Sequence, residues 1–208
     1  MLYVETVAPN AFSVLNQLME MPELKGFSLV GGTALSLLYG HRKSVDLDLF
    51  SNMPFENAEV INVLERKFKS SFDNRTTNHR FGIFCFVDEV KIDFVRHPHP
   101  LIRPEQNWNG IRMFSTEDII AMKVQAILGR GKKKDFWDVA ELLSHYSILD
   151  FIKFHKEKYA TQNLFITVPQ AITYFVDAEE SEDPISLKKQ TWDSVQEFIK
   201  SKVREYLT

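Results

Sequence analysis

The sequence has little cysteine, no long hydrophobic run and almost no excess of either charge. Its one cysteine, Cys85, excludes an internal disulfide and a metal site built from several thiolates. No stretch approaches the roughly 20 apolar residues that a membrane-spanning helix needs. The first residues also lack the basic and apolar pattern of a signal peptide. We therefore expect a reduced, soluble, cytoplasmic protein that has no membrane partner.

The charges nearly balance, with 25 Lys and Arg against 28 Asp and Glu in 208 residues and a formal net charge of -3. This balance excludes a protein that coats nucleic acid through overall positive charge, whereas a local basic patch remains compatible with it. An apolar fraction of 44% is typical of a folded globular chain. The length suits one large domain or two small ones.

The hydrophobic pattern changes character along the chain, which predicts an α+β fold. In the first half it predicts helices over 11–21, 33–39 and 56–69 and strands over 27–30, 45–50, 81–87 and 90–95. In the second half it predicts helices over 116–128, 135–145, 149–159, 169–176 and 192–207. We place the domains at 1–105, an α/β core, and 106–208, a mainly helical C-terminal region.

The most informative residues are carboxylates on two predicted strands. Asp46 and Asp48 alternate with apolar residues, so their side chains share one face with Cα atoms about 7 Å apart. Asp93, on a neighbouring strand, would complete a set of hard oxygen ligands that favours Mg²⁺ or Mn²⁺. The preceding Gly31-Gly32 turn would let backbone amides approach phosphate groups. Taken singly, the acidic pair can also be the polar face of a half-exposed strand, and the glycines an ordinary turn.

A basic segment follows in the second half. Residues 123–134 contain five cations and no carboxylate, which suits a nucleotide triphosphate or an RNA backbone. The cations are Lys123, Arg130, Lys132, Lys133 and Lys134. Asp135 and Asp138 lie on one face of the next predicted helix. The alternative interpretation is that both groups only complement helix dipoles, the lysines at a C-terminus and the aspartates at an N-terminus.

Three motifs give the chain a resemblance to a known family. The runs Val30-Gly31-Gly32-Thr33-Ala34-Leu35 and 40–50, which contains His41-Arg42-Lys43-Ser44 and Asp46-Leu47-Asp48, resemble the first motif of the AbiEii/AbiGii-type nucleotidyltransferase toxins. Lys91-Ile92-Asp93 is similar to the third-carboxylate motif of their DNA polymerase β-like superfamily. Lys123 and the segment 130–138 are similar to the family's second signature, which we call the second motif. The resemblance implies a nucleotidyltransferase-like mixed β-sheet with flanking helices, followed by a helical C-terminal region.

The resemblance also implies a role for each matching residue. Asp46, Asp48 and Asp93 would hold the metal ions, and Asp93 would also help to activate the attacking hydroxyl. Lys123 and Asp135 would join Asp93 as catalytic residues, and Asp138 would be the acid of the second motif. The nucleotide would contact Gly31, Gly32, Thr33, Ser44, Lys123, Arg130 and Lys134. Which of Arg130, Lys132, Lys133 and Lys134 contacts phosphate stays open.

The function that the resemblance implies is transfer of NMP from an NTP to an acceptor hydroxyl, with two Mg²⁺ or Mn²⁺ ions. The acceptor would be RNA, such as a tRNA 3′ end, or a protein. The protein would be the toxin of a bacterial toxin–antitoxin or abortive-infection pair, with a cognate antitoxin. The alternatives are transfer to a small molecule, as in antibiotic-modifying enzymes, and a non-catalytic nucleotide- or partner-binding module of the same fold.

Two weaker candidates are built on histidine. His97-Pro98-His99 lacks a third ligand, so we expect a surface loop rather than a metal site. His79 and Arg80 precede a strand and are minor candidates for substrate contact.

Overall fold

The computed structural model describes residues 1–75 and 80–208, in which the chain forms one mixed sheet and eight α-helices. The candidate His79 lies outside the described residues. The strands are β1 (Ser28–Val30), β2 (Leu47–Ser51), β3 (Phe72–Asn74), β4 (Ile83–Val87), β5 (Val90–Arg96), β6 (Gln106–Trp108) and β7 (Ile111–Met113). The helices are α1 (Pro9–Glu20), α2 (Gly31–Tyr39), α3 (Asn57–Phe68), α4 (Thr116–Arg130), α5 (Lys133–Leu142), α6 (Ile148–Lys158), α7 (Val168–Ile172) and α8 (Trp192–Leu207).

The described strands form a single sheet in the order β3-β4-β5-β2-β1-β7-β6. The central strand β2 runs antiparallel to β1 and parallel to β5. Buried and half-buried residues alternate along both β2 and β5, because one face of each strand packs on the core. The other face carries Asp48 and Asp93, so the polar residues of the alternating pattern stay half-buried rather than enclosed in the core.

The β4–β5 hairpin turns at Asp88-Glu89, between the strands predicted over 81–87 and 90–95. Both residues have positive φ, 47° for Asp88 and 66° for Glu89. Two consecutive left-handed residues form the type I′ turn, whose twist matches that of the flanking strands. The strand predicted over 45–50 begins later than expected, at Leu47, and Val45 is exposed rather than buried with Leu47 and Leu49.

The helical part of the chain begins at Thr116, after two further strands. β7 pairs with β1 at Leu29 and Met113, and β6 pairs with β7. Residues 106–113 therefore extend the sheet of the first half. The domain boundary at 105/106 remains a prediction. The helix predicted over 169–176 is shorter, ending at Ile172.

Aromatic packing attaches the last helix to the second motif. Trp192 at the start of α8 stacks on Trp137 of α5, with ring centroids 5.7 Å apart and an interplanar angle of 10°. Phe136 and Phe175 both meet the Trp192 indole edge-on. Such aromatic contacts contribute about 0.5–1.5 kcal/mol each beyond their burial. None of the described helices is long and apolar enough to cross a membrane.

A buried carboxylate joins α4 to α6. Asp118 accepts hydrogen bonds from the Ile102 amide at 3.0 Å, the Ser115 hydroxyl at 2.6 Å and the Lys158 ammonium at 2.6 Å. Both Asp118 and the Lys158 side chain are inaccessible to solvent. A buried ion pair of this kind is costly to break, because removal of one partner leaves the other charge unpaired in a low-dielectric interior.

We therefore expect Lys158→Met to lower the free energy of unfolding by about 3 kcal/mol. Lys156→Met is the matched control, since Lys156 lies on the same helix with its side chain exposed. Its unfolding free energy should stay within about 0.5 kcal/mol of the parent value. Urea denaturation of the three proteins provides the measurement, and equal losses in both variants would contradict the assigned role of the pair.

Candidate active site

Two carboxylates face each other across the centre of the sheet. β2 and β5 are parallel, and their register places Asp48 directly opposite Asp93. Adjacent strands are about 4.8 Å apart, so residues in register on one face are immediate neighbours. Asp46 lies one residue before β2 and is half-buried. The predicted grouping of Asp48 with Asp93 therefore follows directly from strand pairing.

The electrostatics of the pair favour a cation. Burial, and then the neighbouring Asp93, raise the pKa of Asp48 to about 6. Asp93 Oδ2 accepts a hydrogen bond from Lys91 Nζ at 2.7 Å, whereas its buried Oδ1 has no hydrogen-bond partner among the described residues. An unpartnered carboxylate oxygen beside a second carboxylate fits a divalent cation, which prefers hard oxygen ligands.

Asp46 has a different partner. Its Oδ2 atom lies 3.3 Å from Nζ of Lys134. Within residues 1–75 and 80–208, no group of three or more His, Cys, Asp or Glu side chains is arranged to hold a metal ion. The three-carboxylate metal site therefore remains a prediction, with Asp48 and Asp93 as the pair whose geometry fits it.

The Gly31-Gly32 turn lies against the carboxylates and begins α2. Gly31 has a φ of +69°, and a Cβ atom there would come within 2.5 Å of Asp48 Oδ2. A Cβ atom on Gly32 would overlap the guanidinium of Arg42. Both positions therefore require glycine. Among the described residues no side chain caps the N-terminus of α2, which leaves its first amide groups for an anion.

Asp138 connects the first motif to the second. This fully buried carboxylate accepts two hydrogen bonds from Arg42, Nε to Oδ1 at 2.7 Å and Nη2 to Oδ2 at 2.9 Å. His41 Nε2 lies 2.7 Å from Oδ1, and Lys123 Nζ lies 2.6 Å from Oδ2. Although burial opposes ionisation, Arg42, Lys123 and His41 hold the pKa of Asp138 well below its usual range. Asp138 thus fixes the cations of both motifs.

Lys123 is held by two carboxylates. Its ammonium also donates to Asp135 Oδ1 at 2.9 Å. Burial alone would lower the pKa of Lys123, but Asp135 and Asp138 reverse this, and the net effect raises it. Asp135 Oδ2 also accepts the backbone N–H of Lys132 at 3.1 Å, which caps α5. Lys123 is therefore a fixed, buried positive charge.

Thr33 and Ser44 hold the loop before β2. The buried Thr33 hydroxyl lies 2.8 Å from Ser44 Oγ and donates to the carbonyl of Asp46. The Ser44 amide donates to the carbonyl of Thr6 at 2.9 Å. Of the two hydroxyl residues, Ser44 lines the cavity described next, while Thr33 supports the loop from behind.

A cavity of about 330 Å³ lies between the sheet and α4. Its volume falls in the range typical of small-molecule sites, about 300–1,000 Å³. Part of its wall is charged or glycine-rich: Gly31, Gly32, Arg42, Ser44, Asp46, Asp48, Lys123, Lys134 and Asp135. The rest is mostly apolar or aromatic: Val30, Phe50, His97, Ile119, Met122, Gln125, Ala126 and Tyr159.

Comparison with known proteins gives this arrangement a family. A family model described as the nucleotidyl transferase AbiEii toxin of a type IV toxin–antitoxin system matches residues 13–205. The chain belongs to the AbiEii nucleotidyltransferase toxin family. The resemblance carried by the sequence motifs is thereby confirmed.

Relatives of this AbiEii-family chain span most of its length. Protein aq_aa25 of Aquifex aeolicus (strain VF5) is 34% identical over 190 residues, which cover 87% of this chain and 88% of that protein. MenT4, the nucleotidyltransferase toxin Rv2826c of Mycobacterium tuberculosis H37Rv, superposes with a TM-score of 0.60 at 13% identity, covering 94% of this chain and 84% of its own. JHP933 of Helicobacter pylori superposes with a TM-score of 0.58 at 17% identity, and the match covers 96% of this chain and 92% of JHP933. At such identities the likeness shows the fold alone, and it confirms the predicted fold class.

The cations of the basic segment of the AbiEii-family chain lie in different environments. Lys134 lines the cavity, and Lys133 Nζ contacts Asp183 at 2.8 Å. Arg130 is exposed at the end of α4 and is not part of the cavity wall. The phosphate contact assigned to Arg130 remains a prediction, and among the four candidates Lys134 has the position that favours such a contact.

Sequence reasoning missed the aromatic part of the wall. Phe50 follows Asp48 by two residues on the same strand face, so the period-two pattern contained a usable signal. The sequence predicts His97 in a surface loop rather than a metal site, and gives no sign that it lines a cavity. Tyr159 and Gln125 lie in predicted helices far along the chain, and their spacing gives no indication that they approach β2.

The Asp138 contacts predict a large stability effect. Asp138→Asn should lower the free energy of unfolding at pH 7 by about 3 kcal/mol, because Arg42 and Lys123 lose the buried charge that pairs with them. Asp177→Asn, at an exposed carboxylate, is the control and should change it by less than about 0.5 kcal/mol. Denaturant unfolding of both variants tests this.

The pH dependence has a definite sign. A carboxyl group whose pKa is depressed in the folded state contributes stability above its unfolded pKa, about 3.9 for Asp, and this contribution is lost as pH falls through the folded pKa. The difference in unfolding free energy between the parent and Asp138→Asn should therefore shrink below about pH 4. A difference that grows in acid would contradict the assignment.

Proposed function

We propose that this AbiEii-family protein transfers NMP from an NTP to an acceptor hydroxyl, with Mg²⁺ or Mn²⁺ as cofactor and release of pyrophosphate. One observation carries the proposal furthest. Asp48 and Asp93 meet in register beside the glycine-started helix α2, and Asp48 lines a cavity that also contains Lys123 and Lys134. The carboxylates can bind cations, and the neighbouring amides and ammonium groups can bind phosphates. This combination suits phosphoryl chemistry.

The triphosphate would bind at the charged end of the cavity. The backbone amides that begin α2 at Gly31 and Gly32 would donate to the phosphate oxygens, and Ser44 lies on the same wall. Lys123 and Arg42 supply positive charge whose position is fixed by Asp138. The Lys134 ammonium contacts Asp46 in this structure, and it would contact a phosphate instead when the Asp46 carboxylate binds a cation. Preorganised charge of this kind costs little reorganisation during the reaction.

Asp46, Asp48 and Asp93 would hold the divalent cations, which when bound neutralise the phosphates and lower the pKa of the attacking hydroxyl. We also assign to the Asp93 carboxylate a part in activating the attacking hydroxyl, as the group that accepts its proton. The new bond forms between the acceptor oxygen and the α-phosphorus. The bond from the α-phosphorus to the bridging oxygen breaks, and its electron pair leaves with pyrophosphate.

The acceptor we propose is a hydroxyl of RNA, such as a tRNA 3′ end, or of a protein, and the partner a cognate antitoxin. The family description, a toxin of a type IV toxin–antitoxin system, supports this role. Incubation with each α-labelled NTP and Mg²⁺ tests it, with total RNA, cell protein or small hydroxyl compounds as the acceptor in separate reactions. Label on RNA or on protein supports the proposal. Turnover only with small hydroxyl compounds would favour small-molecule transfer. Nucleotide binding without transfer to any acceptor would overturn the proposed enzyme activity.

We expect Asp48→Asn to lower the transfer rate by about 1,000-fold, because cation charge stabilisation is worth several kcal/mol. Asp73→Asn provides the matched control. Asp73 is an exposed aspartate on β3 whose side chain contacts Arg75 rather than the cavity. The control should keep the parent rate, and both proteins should keep the parent circular dichroism spectrum. Equal rates for Asp48→Asn and the parent would contradict the role of this carboxylate.

Removal of divalent cations should abolish transfer. We expect dialysis against a chelator to eliminate labelled product and addition of Mg²⁺ or Mn²⁺ to restore it, since the oxygen ligands on β2 and β5 select hard cations. Zn²⁺ at the same concentration serves as the comparison and should restore less. Full activity in the chelator would show that the carboxylates act without a metal.

A further inference from the structure

We propose that a nucleobase binds at the aromatic end of the cavity, against Phe50, His97 and Tyr159, and that the amide of Gln125 recognises its edge. The inference rests on the proposed function, since it assigns the second half of the same cavity.

The rings form a connected cluster beside the carboxylates. Phe50 and His97 have ring centroids 5.8 Å apart, and His97 and Tyr159 meet edge-to-face at 6.0 Å. All three line the cavity, and Phe50 and His97 are only half-buried. Planar rings at the wall of an open cavity suit stacking with a base, which every nucleobase can provide.

The position of the cluster suits a nucleotide that is already anchored by its phosphates. Phe50 follows Asp48 by two residues on the same face of β2, which separates their Cα atoms by about 7 Å. A ribose would bridge that distance between a phosphate at the carboxylates and a base at the rings. The main chain holds the cluster in place, because the His97 amide donates to the carbonyl of Ser51 at 2.7 Å.

His97 presents an uncharged ring. Burial, the positive charge of Lys158 and the neighbouring His99 lower the pKa of His97 to about 4, while Asp118 opposes this shift. The imidazole is therefore neutral at physiological pH and adds no charge to the apolar wall.

Gln125 supplies the polar group that a stacking surface lacks. Its Oε1 atom lies 3.1 Å from Nε2 of His155, with the imidazole as donor to the amide oxygen. The Gln125 amide nitrogen has no acceptor in the described part of the chain. It can therefore donate a hydrogen bond to a ligand in the cavity that Gln125 lines. An amide N–H₂ group donates to a keto oxygen or ring nitrogen of a base. Gln125 is thus placed to discriminate among bases.

Two sources of the nucleobase share this chemistry: the donor NTP and the terminal nucleotide of an RNA acceptor. The test uses Phe50→Ala, Gln125→Leu and the control His99→Ala. His99 contacts Tyr159 at a centroid distance of 4.6 Å but is not part of the cavity wall. Thermal unfolding identifies any variant that loses its fold. Equilibrium binding of ATP, GTP, CTP and UTP, each with Mg²⁺, is measured first, and KM for NTP and for RNA second.

We expect Phe50→Ala to weaken binding of the nucleobase source by about 10-fold, within the range for loss of a stacking ring. Gln125→Leu should change the ratio of affinities among the four bases. His99→Ala should leave both the affinity and this ratio unchanged. Effects on NTP affinity identify the donor base as the ligand, and effects confined to KM for RNA identify the acceptor base.

Parent-like NTP affinities, base ratios and KM values for both NTP and RNA in folded Phe50→Ala and Gln125→Leu would overturn the inference while leaving the proposed function intact. The proposed function fails separately if the parent protein itself binds no NTP and transfers no label. A His99→Ala effect as large as that of Phe50→Ala would also overturn the assignment, because it would reflect packing of the aromatic cluster rather than contact with a base.

Discussion

The site depends above all on the buried carboxylate of Asp138. It lies on α5, late in the chain, yet it binds His41 and Arg42 just before the acidic strand β2 and Lys123 on α4. A buried carboxylate needs such partners, and buried cations need it in turn, because an unpaired charge is strongly unfavourable in the interior. This mutual requirement holds α4 and α5 against the loop before β2, and both that loop and α4 border the cavity.

The loop between α2 and β2 is held from several other sides. Its main chain pairs with residues 185–187, since the Lys43 amide donates to the carbonyl of Ile185 and the Leu187 amide donates to that of His41. Thr33 and Thr6 hold Ser44 from the N-terminal side. A loop fixed by contacts from both ends of the chain can present Asp46 and Ser44 with little loss of entropy on binding. The cavity it borders has a charged end, suited to phosphates, and an aromatic end, suited to a flat ring.

Much of the fold was readable from local pattern. The β4–β5 hairpin and helix α8 appeared where alternation and helical spacing placed them, because those elements satisfy their preferences with near neighbours. The short strands β3, β6 and β7 were missed. Each has only three residues, too few for a period to emerge, and each exists because a partner strand is available. Lys123 shows the same limit: the resemblance implies a nucleotide contact, which stays a prediction, and only the structure shows the two carboxylates from α5 that hold it in the interior.

The sequence by itself determined the residue types of the site and their grouping on strands: the glycine turn, the alternating Asp46 and Asp48, and Asp93 on a second strand. It did so because alternation and turn chemistry are local properties of the chain. Only the tertiary structure decided that Asp48 and Asp93 meet in register, that Asp138 gathers the cations, and that Gln125 and Tyr159 approach Phe50. Those contacts join residues that are far apart in sequence, and pairing and packing in three dimensions select them.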